Sequence, residues 1–186
     1  MKVLFVNACV RSRSRTKILA DYLIEKLGAK VDEINLNEDA PKPFDEMMLE
    51  KRDALIKKGQ FDNKAFDYAK RFADADMIII AAPFWDFSFP ALLKTFIEHV
   101  NVSGIVFKYT DTGIQTLCKA SKLYYVTTMG GYNPTDYGFG YIKALCGALY
   151  GIDDVRLIKA EGLDIVGNDV DEIMEKAKKE IDKMVG

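Results

Sequence analysis

Histidine is nearly absent from this sequence: His99 is the only one in 186 residues. With one imidazole and three widely spaced cysteines, Cys9, Cys118 and Cys146, none in a C-x-x-C pair, no standard zinc constellation can be assembled. The same shortage leaves Ser12, Ser14 and Thr16 without a histidine in any motif beside them, so hydrolysis by an activated hydroxyl has no support. Three cysteines do not make a disulfide framework, which fits a reducing, cytoplasmic setting. His99, beside Glu98 on the polar side of a helical repeat, is expected at the surface or an interface rather than in chemistry. Cys9, at the end of an apolar run, reads as a small buried hydrophobe.

Long apolar runs are missing as well. No stretch approaches the ~20 residues that a membrane helix needs, and the opening MKVLFVNAC lacks the charged, apolar and small-residue order of a signal peptide. Positive charge is not in excess: 26 Lys and Arg face 28 Asp and Glu, for a formal net charge of -2. That excludes the broad positive field used to bind nucleic acid or an anionic membrane without sequence preference. Proline is scarce, at five residues, and no repeat or low-complexity tract breaks the chain. At 49% hydrophobic content over 186 residues, a single domain spanning 1–186 is expected.

What is present alternates between two periods. Short apolar runs KVLFVNA, KVDEINL, DMIIIAA, KLYYVTT and DVRLIKAEG have the length of strands, and three of them are apolar almost throughout, as strands covered on both faces are. Between them, Thr16 to Leu27 carries Ile18, Leu19, Tyr22, Leu23 and Leu27 on one stripe, with Gly28 as its stop. Pro90 to Val100 carries Leu92, Leu93, Phe96, Ile97 and Val100 on another. A last helix follows Asn168, acidic at its start and lysine-rich later, as the helix dipole favours. This alternation predicts a parallel sheet with helices on both faces. Two connections are longer than a crossover requires: 37–62, with a polar helical piece near Phe44 to Lys58, and 101–120, with IVFKYTDTG. Both are expected to be binding or contact loops.

Ligands of such sheets lie beyond the carboxyl ends of the strands, and three loops there are chemically unusual. ACVRSRSRTK (8–17) offers the hydroxyls of Ser12, Ser14 and Thr16, three arginines and the free amides of a helix start, which together suit a phosphate. It has no glycine, so a terminal phosphate held by hydroxyls fits better than a di- or triphosphate lying on bare backbone. The alternative is a solvated helix cap. PFWDFSFP (83–90) gathers four aromatic side chains after a strand, more than turning the chain calls for. TTMGGYNP (127–134) carries Gly130 and Gly131, which allow positive backbone angles and close approach of a ligand; an ordinary turn is the plainer reading.

The SRT ending of the first loop, PFWDF running into PALLKTFIEHV, FKYTDTG and TTMGGY occur in that order across nearly the whole chain. Together they resemble the flavodoxin-like FMN-dependent NAD(P)H oxidoreductases, the azoreductase and quinone reductase family. The resemblance implies an α/β flavodoxin-like three-layer fold with a five-stranded parallel sheet in the order 2-1-3-4-5. It implies FMN, with the phosphate at Ser14, Arg15 and Thr16, and with the ring between Pro83, Phe84, Trp85, Asp86 and Phe87 on one side and Thr128, Gly130, Gly131 and Tyr132 on the other. It further implies NADH or NADPH as electron donor, a small aromatic acceptor such as a quinone or azo compound, two ping-pong half-reactions, and a homodimer that completes each site across its interface. Asp86 stands where members often carry Asn, Met129 where an Arg can occur, and Asn133 near where some have His, so acceptor preference does not carry over. A flavodoxin-type carrier passing single electrons to protein partners, and a ligand-sensing module, remain alternatives.

Overall fold

The computed structural model describes all of residues 1–186. In chain order the elements are β1 (Val3–Asn7), α1 (Arg15–Leu27), β2 (Val31–Asn35), α2 (Glu46–Lys57), α3 (Asp67–Asp74), β3 (Met77–Ala81), α4 (Ala91–Val100), β4 (Phe107–Thr110), β5 (Gly113–Thr116), β6 (Lys122–Thr128), α5 (Tyr137–Leu145), β7 (Asp154–Ala160) and α6 (Val170–Val185). Five strands form one sheet in the order β2-β1-β3-β6-β7, every neighbouring pair parallel. Counting only the strands of that sheet, this is the expected order 2-1-3-4-5. No helix is long and apolar enough to cross a membrane.

The apolar strands are apolar because both of their faces are covered. Along β1, Leu4 and Val6 pack with Phe72 of α3, Leu93 and Phe96 of α4 and Ile142 of α5, whereas Val3 and Phe5 pack with Leu19 and Leu23 of α1 and Met174 and Ala177 of α6. The alternation of side chains along each strand thus feeds two separate cores. β2 lies at the sheet edge, and its exposed Asp32 and Glu33 match that place.

Several elements differ from the sequence expectation. The stripe of α1 is rotated: Thr16, Leu19, Ala20 and Leu23 are buried, and Ile18 is 48% exposed. The 101–120 connection folds into the antiparallel β4–β5 hairpin, which stands apart from the main sheet and exposes Tyr109 and Ile114. α3 and α5 were not anticipated; α5 extends through one wide turn, Cys146–Tyr150, and stops at Gly151, whose φ of 68° suits glycine. His99 is spent on packing. Its ring stacks on Phe44 with centroids 4.0 Å apart, and its Nε2 donates to the Lys42 carbonyl at 2.8 Å, pinning the 37–62 connection to α4.

Candidate active site

Four loops at the carboxyl ends of the parallel strands meet around one cavity of about 350 Å³, a size ordinary for a small-molecule site. The β1–α1 loop gives it Val10, Arg11, Arg13, Ser14, Arg15 and Thr16; the β3–α4 loop gives Pro83, Phe84 and Trp85; the end of β6 gives Thr128, Met129 and Gly130; the β7–α6 loop gives Leu163 and Asp164. Of the residues nominated from the sequence, Ser14, Arg15, Thr16, Pro83, Phe84, Trp85, Thr128 and Gly130 are brought together here. Asp86, Phe87, Gly131 and Tyr132 are not part of the cavity wall.

The β1–α1 loop begins with a fixed turn. Asn7, buried at the end of β1, accepts from the Cys9 amide through Oδ1 at 3.0 Å and donates through Nδ2 to Glu33. Cys9 is buried as expected, and that burial pushes its thiol up. The same cause raises Cys118 and Cys146 to about 12, so no cysteine of the chain is poised as a nucleophile. Ser14 caps α1, its Oγ accepting from the Lys17 amide at 3.3 Å. The amides of Arg15 and Thr16, in the first turn, have no acceptor in the protein, and they open beside the cavity. An anion set there receives backbone donors and the positive end of the helix dipole.

Two side chains of the expected phosphate group have other partners. Thr16 is fully buried, and its Oγ1 lies 2.7 Å from that of Thr128, a clamp between α1 and the end of β6. Arg15 reaches across the mouth to Asp164, Nη1 to Oδ1 at 2.7 Å, with a longer contact to the Leu163 carbonyl. Arg11 and Arg13 make no ion pair. Leu163 and Asp164 were not nominated. The signal for them was topological: they follow the strand next to β6, in the same carboxyl-end position as the other loops.

The aromatic corner turns out to be a two-residue hairpin. Trp85 and Ser88 exchange both backbone hydrogen bonds at 2.8 Å, and the residues between them, Asp86 and Phe87, have φ of 50° and 64°. Primed hairpin turns demand such angles and usually take Asn or Gly there. A phenylalanine in the left-handed region is strained, and strain of this kind concentrates at functional sites. Phe87 stays 58% exposed, with its ring edge-on to Phe84 at 6.3 Å.

The diglycine loop corrects its own rationale. Neither Gly130 nor Gly131 has a positive φ. Gly130 lies against the Asp164 side chain: a Cβ there would displace that exposed carboxylate, with Cγ 3.0 Å away, whereas a Cβ at Gly131 would meet nothing. The loop is zipped to the β7–α6 loop through Met129 N to Ala160 O, Leu163 N to Met129 O, Asp164 N to Gly130 O and Gly162 N to Gly131 O, from 2.8 to 3.2 Å. The amides of Gly130 and Gly131 themselves have no acceptor. Tyr132 lies over Gly162, where a Cβ would sit 3.2 Å from its hydroxyl.

The cavity therefore has an anion end at α1, a flat aromatic side at Phe84 and Trp85, and free backbone donors opposite. Comparison with known proteins gives the family. Residues 1–185 match the family described as having the flavodoxin-like fold, and the chain belongs to that family. It is 36% identical to an FMN-dependent NADH:quinone oxidoreductase 2 of Clostridium acetobutylicum, over 96% of this chain and 97% of that protein. It is 35% identical to an FMN-dependent NADH:quinone oxidoreductase of Clostridium beijerinckii, over 95% and 93%. Among solved structures, an azoreductase from Bacillus anthracis superposes with a TM-score of 0.86 at 22% identity, covering 100% of this chain and 98% of that one, a likeness of fold.

Proposed function

We propose that this member of the family is an FMN-dependent NAD(P)H oxidoreductase that passes two electrons to a quinone, azo compound or similar small aromatic acceptor. The observation that carries the reading is the single cavity in which a helix start with free amides, an aromatic side and free loop amides converge. FMN has a matching order of parts: a terminal phosphate, a short polyol and a flat ring. The names of the Clostridium relatives support the cofactor, the donor and the quinone.

When bound, FMN supplies the redox chemistry, exchanging electrons with a nicotinamide and then with an acceptor. The chain's own residues bind and orient. Ser14 Oγ and the amides of Arg15 and Thr16 hold the phosphate, with Arg15 shared between it and Asp164. Pro83, Phe84 and Trp85 fix one edge of the ring. The unpartnered amides of Gly130 and Gly131 would supply backbone donors to the ring, able to stabilise negative charge on it. No side chain is assigned as a general acid. Donor and acceptor entering the one cavity in turn would make the kinetics ping-pong. Trp85, Phe87, Tyr132 and Tyr137 are exposed in the segments after β3 and β6, and a second copy of the chain covers them in a homodimer.

Anaerobic titration of the FMN-loaded protein with NADH and with NADPH tests the reading. Bleaching of the flavin bands, then their recovery on adding a quinone or azo dye, is expected. A flavin that reacts with neither nicotinamide would instead make the protein an electron carrier.

A further inference from the structure

Behind the aromatic side lies a second, smaller cavity of about 110 Å³, bounded by β6, β7, the 133–136 loop and the start of α5. Phe84 and Met129 belong to the walls of both cavities. Two hydroxyls on one face of β6, Tyr125 Oη and Thr127 Oγ1, are aimed into it. The two residues are 1% and 4% exposed, and neither hydroxyl bonds to any other group of the protein; a contact between the two would still leave one O–H without an acceptor. Buried hydroxyls left this way are rare and costly, and two side by side call for an occupant that satisfies them. Tyr125 Oη stands at the α5 wall, where a Cβ on Gly138 would lie 3.5 Å from it. Burial pushes the phenol up, so it stays protonated and able to donate.

The remaining walls say what the occupant is. Glu161 and Asp136 bring acceptors and Lys159 a donor. Glu161 is held in place by an ion pair with Lys159 at 2.6 Å and by the Asn133 amide at 3.3 Å. A space of this volume with both donors and acceptors is too small and too polar for an aromatic ligand, and it takes about three to four waters at the ~30 Å³ each occupies in the liquid.

We propose that this chamber is a hydration site, in which ordered water links Tyr125 Oη and Thr127 Oγ1 to Glu161 and supports the Met129–Gly131 turn from behind. The turn is fastened to β7 through Met129 N to Ala160 O, and Met129 presents its other side to the chamber. The hydration stands independently of the proposed activity; its effect on flavin binding rests on that reading.

The test compares Thr127→Val, Thr127→Ser and Tyr125→Phe in the full chain without flavin, by chemical denaturation and by water–amide NOEs. With bridging water, Thr127→Val lowers the folding equilibrium constant by about five-fold, the worth of one hydrogen bond. Thr127→Ser, which keeps the hydroxyl, stays within about two-fold of the parent, and the buried-water NOEs seen in the parent disappear in Thr127→Val. A dry chamber reverses the sign: Thr127→Val and Tyr125→Phe both raise the constant because each removes an unsatisfied group, and the parent shows no buried-water NOE. Either result overturns the proposal. Flavin titration is the last arm. Thr127→Val weakens FMN and riboflavin alike, because the turn moves and the phosphate end does not; unchanged affinity for both would overturn the link between chamber and turn. A parent chain that binds no flavin at all would overturn the cofactor reading alone, since denaturation and NOEs do not depend on it.

Discussion

Replacing Ser14 by alanine separates two functions of one hydroxyl. As the cap of α1, Ser14 Oγ accepts a long 3.3 Å bond from the Lys17 amide, so its loss costs stability at the low end of the capping range, about 0.5–1 kcal/mol. As a donor to a phosphate it makes a charge-assisted hydrogen bond worth about 1.5–3 kcal/mol. At about 1.4 kcal/mol per tenfold, the FMN dissociation constant should rise roughly 10- to 150-fold. The free amides of Arg15 and Thr16 remain, so binding is weakened and not abolished. Riboflavin, which has the ring and polyol but no phosphate, provides the control. Titrating the flavin-free protein with each flavin, and following the quenching of flavin fluorescence, should show Ser14→Ala losing FMN affinity while riboflavin affinity stays put. Equal losses for both flavins would mean that the damage travels through the helix cap. Unchanged FMN affinity would move the phosphate away from this loop.

Thr16→Val should act differently, because the Thr16 hydroxyl is committed to Thr128: stranding that buried partner should cost about 1–3 kcal/mol in urea unfolding, with the preference for FMN over riboflavin unaltered. Phe87→Asn should raise the thermal midpoint, since Asn tolerates the φ of 64° that Phe87 bears, while acceptor turnover falls in steady-state assays; a lower midpoint would remove the argument from strain. The Asp74 carboxyl, hydrogen-bonded by Lys119 and Lys2, is held at about 2. A depressed carboxyl stabilises the fold above its unfolded pKa and loses that contribution as pH falls through the folded one. Asp74→Asn should therefore flatten the acid-unfolding curve between about pH 4 and 2, and an unchanged slope there would contradict it. Light scattering at assay concentration should give a dimer, and Trp85→Glu should shift it toward monomer; a fully active monomer would remove the shared site.

The sequence alone determined the layers. Residues such as Ile78, Ile79 and Ile80 in an unbroken apolar run specify a strand covered on both faces, because successive side chains point to opposite sides and each must leave water. The strand order came with the family resemblance, and the order makes the loops after β1, β3 and β6 neighbours. Eight nominated residues consequently share one cavity. Spacing along the chain carries no information on which side chain will answer another across loops distant in sequence, and this is where tertiary structure decided. It gave Arg15 a partner in Asp164, 149 positions away, and Thr16 a partner in Thr128. It also set Gly130 against the Asp164 side chain and gave it no positive backbone angle. The chamber behind Phe84 is the extreme case: Tyr125 and Thr127 look like ordinary strand residues in KLYYVTT. Only the packing of α5, β7 and the 133–136 loop around them leaves their hydroxyls buried with no partner beyond each other, because burial and hydrogen-bond satisfaction belong to the assembled molecule and not to any segment of it.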